Sequence, residues 1–371
     1  MNKRIAFYCS SVSWGGLEMN FVRYAEWIAN EGYTVHVFCV ADSPIHKRVL
    51  ECGLTHTCIA FNKKYFDLKN AFKVAGLFDK EKIDLVWFRD TRDMSLLSWV
   101  KKFSSRKLKL IYQQAMQLGV DKKDLFHTLR FLSIDKWIAT LNFLKEQVVN
   151  RTRFPQNRIS VIPLGADTKQ IHAKNITQSE ARELLNLPKD ALIAGIIGRI
   201  DPLKGQHIAI NALQICNDNT HLVVMGESTK NEGRDYEVEL KQKVRSLGLQ
   251  NRVHFKPYSK DVEAFYRAID IFILASKGET FGTVTIEAMS FGLAIIGTDS
   301  SGTPEILDYG NAGLLFEPDN ASELASCMKE YISNPIKRNE MGENAKARFN
   351  AHYSKEASVK RIVEEVLGCK L

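Results

Sequence analysis

The chain reads as an α/β protein: two doubly wound, parallel-sheet (Rossmann-like) domains facing a cleft. Three observations predict this. Short apolar runs rich in Ile, Val and Phe, the mark of strands buried on both faces, recur along the whole chain. Helical patterns separate them, so the strands are joined by crossovers and lie parallel. The run Val161-Ile162-Pro163-Leu164-Gly165-Ala166-Asp167 and the polar stretch to Ser179 divide the alternation into two similar halves. With 371 residues and 45% apolar content, there is enough material for two cores.

In the first half, residues 5–10 (Ile-Ala-Phe-Tyr-Cys-Ser) form the opening strand. The start is too short and too soon polar for a secretory leader. A helix over 18–30 follows, then strands at 34–40, 85–88, 108–112, 136–139 and 159–162, with a further clear helix at 141–149. The second half predicts strands at 192–198, 221–225, 252–255, 271–274, 294–297 and 313–316. The last stretch, 351–371, is a helix with Val359, Ile362, Val363, Val366 and Leu367 on one face.

Charge is uneven. In residues 1–165, 26 lysines and arginines stand against 15 acids; in the remainder, 25 stand against 28. A basic first half calls for an anionic partner. No helix-turn-helix, zinc finger or RNP-type strand is present, so nucleic acid is not expected. An anionic membrane surface fits better, and the run 99–109, with Trp99, Phe103 and five cations, is a candidate contact. A solvated helix end with Trp99 and Phe103 buried is the simpler reading of that run. No stretch approaches the roughly 18 apolar residues of a membrane span. The seven cysteines and nine histidines show no ligand spacing, so no metal is expected and the thiols are read as reduced. These readings predict a cytoplasmic protein, at most peripheral on a membrane.

Chemistry concentrates in two segments. Glu279 and Glu287 flank Phe281-Gly282-Thr283, where the apolar run 268–275 gives way to a helical pattern. A helix start offers free amide donors and a positive dipole end to a phosphate. Carboxylates accept only, which suits them to hydroxyls. Amides between two hydroxyl-seeking acids describe a site for a sugar attached to a phosphate. The second segment ends the run 192–198 in Gly198-Arg199 and continues to Lys204-Gly205. Arg supplies a planar fork to phosphate oxygens and Lys a mobile charge. Cations at a strand's carboxyl end fit the crevice where open α/β sheets bind ligands.

Together these segments resemble the retaining glycosyltransferases of glycosyltransferase family four, which have the GT-B fold. The family's E-x7-E motif matches Glu279 and Glu287, and its G-R-x-x-x-x-K-G segment matches Gly198-Arg199 and Lys204-Gly205. The likeness continues through 297–306 and 311–316, and Ser13-Trp14-Gly15-Gly16-Leu17-Glu18 stands where the family has its Gly-rich first loop.

The resemblance implies an acceptor-side domain over 1–165, joined by 352–371, and a nucleotide-sugar-binding domain over 166–351. It implies transfer of a sugar from a nucleotide-diphosphate sugar to a glycan or lipid-linked acceptor in cell-envelope polysaccharide or lipopolysaccharide synthesis. The donor is a substrate, UDP-sugar favoured over GDP-sugar, and no cofactor or metal is implied. Arg199 and Lys204 would neutralise the leaving phosphate, Glu279 would accept from the transferred sugar and Glu287 from the ribose. Gly15, Gly16, Gly198, Phe281, Gly282 and Thr283 would line the donor site, and residues 254–258 would meet the base. The configuration would be retained because the departing phosphate oxygen takes the acceptor's proton on the same face. One departure stands out: Ile111-Tyr112-Gln113-Gln114 replaces the family's usual His, with Gln114 a candidate sugar contact. Two alternatives stay open: a nucleotide-sugar epimerase of the same fold, or a sugar-nucleotide-binding protein without catalysis.

Overall fold

The computed structural model describes residues 3–62, 66–216, 219–228 and 234–368. The end of the expected last helix, 369–371, lies outside the described residues. The chain divides into two compact units, Met1–Pro163 with Val359–Leu371, and Leu164–Ser358.

In unit 1, seven strands form one parallel sheet: β1 (Arg4–Cys9), β2 (Thr34–Val40), β3 (His56–Ile59), β4 (Leu85–Phe88), β5 (Lys109–Gln113), β6 (Lys136–Ala139) and β7 (Ile159–Val161). Their order is β3-β2-β1-β4-β5-β6-β7, so the winding reverses between β1 and β4. Helices α1 (Gly16–Asn30), α2 (Pro44–Glu51), α3 (Leu68–Lys80), α4 (Thr91–Phe103), α5 (Leu125–Leu132) and α6 (Asn142–Arg151) follow successive strands. Phe7 stacks on Trp87 at 5.6 Å, and Trp137 meets Tyr112, Phe131 and Phe154 at 4.8–5.3 Å. Such rings bury about 150–250 Å² each and dominate core energetics. Strand β3 is the one the apolar pattern missed. Among the described residues His-Thr-Cys-Ile pairs with β2 alone, and as a half-exposed edge it carries no continuous apolar run.

Unit 2 repeats the plan with six parallel strands: β8 (Leu192–Ile197), β9 (Thr220–Met225), β10 (Val253–Lys256), β11 (Ile271–Leu274), β12 (Ala294–Thr298) and β13 (Leu314–Phe316). Their order is β10-β9-β8-β11-β12-β13, reversing between β8 and β11. All four residues of β11 are buried, as its unbroken apolar run predicts. The terminal stretch is a helix Lys355–Ile362 that widens to a π-type turn over Val363–Leu367, with Val359, Ile362, Val363 and Leu367 buried. Val366, expected on the same face, is half-buried.

Candidate functional site

The reversal between β8 and β11 is where an open α/β sheet leaves a crevice at its carboxyl edge. Both charged segments arrive there, one from each strand. After β8 the chain turns at Gly198 (φ 149°). Asp201 accepts from Leu203 N at 2.9 Å and so caps the short helix Pro202–Lys204. The loop closes at Gly205 (φ 72°), where an added Cβ would lie 2.2 Å from the Ala275 carbonyl oxygen. Only glycine lets the β8 loop lie against the end of β11. Lys277 N donates to Leu203 O at 3.1 Å, tying the two loops together from the other side.

That packing brings Lys204 to Glu279, Nζ to Oε2 at 2.6 Å, though they are 75 residues apart. Both side chains keep some solvent contact. Arg199 pairs with Asp201 at 2.8 Å but leaves half of its side chain exposed. Its backbone carbonyl is held by Gln206 Nε2 at 2.8 Å. Two cations and two carboxylates therefore share a single solvent-reached loop pair, and each cation is able to exchange its carboxylate for a ligand.

The helix Thr283–Ser290 begins beside Glu279. Its first residue follows Gly282 (φ 70°), and no side chain caps it. Thr285 N turns back to donate to Gly282 O at 2.9 Å, which leaves the Thr283 and Val284 amides as donors for a ligand, with the positive dipole end behind them. A Cβ at Gly282 would come within 3.0 Å of Glu279 Cγ. The Phe281 ring is buried edge-on against Tyr353 at 6.0 Å, so the backbone is what this residue can offer. Glu287, one turn on, accepts from Tyr266 Oη at 2.9 Å. Tyr266 is buried; desolvation, then the Glu287 charge, push its hydroxyl well above the usual tyrosine range. It is thus a fixed donor that holds the Glu287 carboxylate in place. Along 254–258, the Lys256 carbonyl accepts from Gly226 N at 3.0 Å and Tyr258 is exposed.

Unit 1 has the equivalent reversal between β1 and β4, and its residues are arranged differently. Ser10 donates to Asp93 from both its amide (3.1 Å) and its hydroxyl, and Asn62 Nδ2 donates at 2.8 Å. Burial and the nearby Asp90 charge push Asp93 up to about 7, against these donors. Arg89, directly after β4, is buried, and its Nε and Nη1 have no hydrogen-bond partner among the described residues. Lost hydration pulls its guanidinium down to about 10. Gly15 has an extended backbone (φ −158°) and begins the uncapped helix α1. Among the described residues nothing crowds a Cβ at Gly16, and at Gly15 the nearest atom is Glu18 Oε2 at 3.5 Å. These glycines are not demanded by sterics.

Two family models cover most of the chain: "Glycosyltransferase Family 4" over residues 14–170 and "Glycosyl transferases group 1" over 177–348. The chain belongs to this glycosyltransferase family. Among curated relatives, the D-inositol 3-phosphate glycosyltransferase of Corynebacterium urealyticum is 28% identical over 56% of this chain and 50% of its own length. The chain spans about half the length of the curated relatives it matches. Two solved structures match throughout. A glycosyltransferase from Rickettsia africae has a TM-score of 0.88 at 20% identity, covering 99% of both chains. Anabaena HepE, in complex with UDP, has a TM-score of 0.85 at 21% identity, covering 99% of this chain and 100% of its own. At this identity they establish the fold, two parallel-sheet α/β domains of the GT-B type.

Within the family's motifs, the fold brings Gly198, Arg199, Lys204, Glu279, Gly282, Thr283 and Glu287 to one strand-loop edge of unit 2. Gly15, Gly16 and Gln114 belong to unit 1. The expectation for Gln114 needs correction. It is fully buried, its Oε1 accepting from Trp137 Nε1 at 3.0 Å and its Nε2 donating to Met116 O at 2.9 Å. Both polar ends are used inside the unit, so in this structure it offers nothing to a sugar. Sequence reasoning also missed Tyr266, Arg89 and Asp93. A Tyr inside an apolar run reads as core, and only the fold aims its hydroxyl at Glu287. The Arg89-Asp90 pair at the end of a predicted strand was a signal available for the other two.

Proposed function

We propose that the chain is a retaining glycosyltransferase that moves a sugar from a nucleotide-diphosphate sugar to a glycan or lipid-linked acceptor in cell-envelope polysaccharide or lipopolysaccharide synthesis. The observation that carries the reading is the Lys204–Glu279 ion pair beside the uncapped helix start at Thr283. On donor binding, Lys204 and Arg199 turn from their carboxylates to the diphosphate, and the helix amides add neutral donors. Glu279, released from Lys204, accepts from sugar hydroxyls; Glu287, steadied by Tyr266, accepts from the ribose. The anomeric carbon–phosphate oxygen bond breaks, the acceptor oxygen bonds to that carbon on the same face, and its proton passes to the departing phosphate oxygen. Charge building on that phosphate is what the two cations stabilise. UDP is favoured as the nucleotide, in line with the uridine ligand of the Anabaena neighbour.

The acceptor reading draws support from unit 1. Phe66 meets Phe126 at 6.3 Å and Phe72 meets Phe103 at 6.2 Å, each pair largely exposed. Leu125 and Leu129 project from α5 with more than half their surface in solvent. A cavity of about 230 Å³ between α4 and α5 is lined by Phe66, Trp99 and Phe126 with Lys102 and Arg130. Apolar side chains among cations suit an anionic lipid surface. The simpler expectation for Phe103 is thereby revised, since 39% of it is exposed. Among the described residues no helix is long and apolar enough to cross a membrane.

Calorimetry tests the donor assignment. Glu287→Gln should weaken binding of the bare nucleoside diphosphate, and Tyr266→Phe should do so by a smaller factor, on the order of three- to tenfold for one hydrogen bond. Glu279→Gln should spare the bare nucleotide and weaken the intact donor. Equal losses of bare-nucleotide affinity in Glu287→Gln and Glu279→Gln would overturn the division of labour.

A further inference from the structure

We propose that His46, His56 and Cys58 form a binding site for a soft or borderline metal ion, zinc or monovalent copper by ligand chemistry, at the β2–β3 edge of unit 1. The site is separate from the donor site in unit 2. The three residues come together for local reasons. Ser43 caps α2, its Oγ accepting from His46 N at 3.1 Å, and so sets His46 in the first turn. Alternation along β3 puts His56 and Cys58 on one face of the edge strand. The ligand atoms all lie within 4.8 Å of one another.

The two separations from His46 match a tetrahedral ion, and the third, between His56 and Cys58, is no more than 4.8 Å. With metal–nitrogen bonds of about 2.0–2.1 Å and a metal–sulfur bond of about 2.3 Å, tetrahedral angles require about 3.3 Å between two nitrogens and about 3.6 Å between nitrogen and sulfur. His46 Nε2 stands 3.3 Å from His56 Nε2, and 3.7 Å from Cys58 Sγ. His56 is also oriented as a ligand: its Nδ1 lies 3.2 Å from the Leu54 carbonyl, so the proton sits there and Nε2 carries the lone pair. Cys58 is exposed and His46 and His56 half-buried, so an ion can enter and a water can complete the shell. Two imidazoles and a thiolate select zinc or copper over magnesium or calcium.

Without metal, the network assigns a relay in which Asp42 N donates to His46 Nδ1 at 3.1 Å and His46 Nε2–H donates to His56 Nε2. Metal binding shifts the His46 proton from Nε2 to Nδ1, ends the exposed Asp42 contact, and releases the Cys58 thiol proton to solvent. One proton leaves per ion, so affinity falls as pH is lowered. Bound metal ties α2 to the edge strand.

Cobalt(II) and zinc(II) added to the chelator-stripped full chain test the site. One equivalent of cobalt should give tetrahedral ligand-field absorption and a thiolate charge-transfer band. Cys58→Ser should abolish that band, and His56→Gln should weaken zinc affinity at least tenfold. At one zinc concentration the melting temperature should rise in the parent chain and rise less in either variant. Absence of stoichiometric uptake would overturn the proposal. Uptake that neither substitution changes would also overturn it and leave a hydrogen-bonded histidine pair. Cys58 is exposed and His56 half-buried at an edge, so circular dichroism should report an intact fold in both variants.

Discussion

The two units place the same topological feature to opposite ends. In unit 2 the reversal between β8 and β11 displays its charges: Arg199, Lys204 and Glu279 are partnered but wet. In unit 1 the reversal between β1 and β4 folds its charges inward: Asp93 and Arg89 are buried. The loops differ in the same sense. Gly205 sits in the left-handed region with no room for a Cβ, whereas Gly15 and Gly16 adopt backbone any residue could take. Equal topology therefore gives unequal sites. A tightly jammed loop pair holds exchangeable ion pairs in fixed places, while in the buried pair Asp93 is satisfied by Ser10 and Asn62 and Arg89 is shut away from water with two donors unpaired among the described residues.

The sharpest way to break that comparison is to remove the wet charges. Arg199→Ala or Lys204→Ala should lower turnover by about 10²–10³, the usual effect of losing one preorganised donor, with the melting curve almost unmoved. Near-parental turnover in both variants would refute the donor-site assignment. The loop contrast comes next. Gly205→Ala should cost about 2–4 kcal/mol in denaturant unfolding, because a Cβ would strike the Ala275 carbonyl at an unfavourable φ. Gly15→Ala should stay within about 0.5 kcal/mol. Similar costs for the two would erase the distinction.

The buried cluster gives the smallest effect, and its sign is fixed by linkage. Burial raises Asp93 to about 7 in the native state, above its ordinary unfolded value. Its contribution to stability is complete below the unfolded value and is lost as pH rises through about 7. The parent should lose on the order of 2 kcal/mol from this group between about pH 5 and pH 8. Asp93→Asn should flatten that part of the profile in parallel denaturant titrations. Identical pH profiles would mean that Asp93 ionises normally.

The comparison also explains what the sequence revealed. Central strands such as β8 and β11 announce themselves because both faces are buried and every residue must be apolar. The family-type motifs stand at the ends of those strands, so Arg199, Lys204, Glu279 and Glu287 could be chosen by position and chemistry. Edge strand β3 could not, because half its surface meets water and its residues are His, Thr and Cys. The trio His46, His56 and Cys58 follows from that same edge, its spacing irregular along the chain and regular only in space. Gln114 was misjudged for a related reason: a polar residue at a strand end looks available until Trp137 and the Met116 carbonyl are seen to occupy it.

The ion pair between Lys204 and Glu279 has a bearing on product release under the proposed roles. Once the sugar has gone, the spent nucleotide still draws Lys204 toward its phosphates, and Glu279 is left facing neither a cation nor a hydroxyl. Re-forming the pair relieves that vacancy and loosens the nucleotide's hold. One carboxylate would thus serve twice, first as a grip on the incoming sugar and then as the competitor that clears the site for the next turnover.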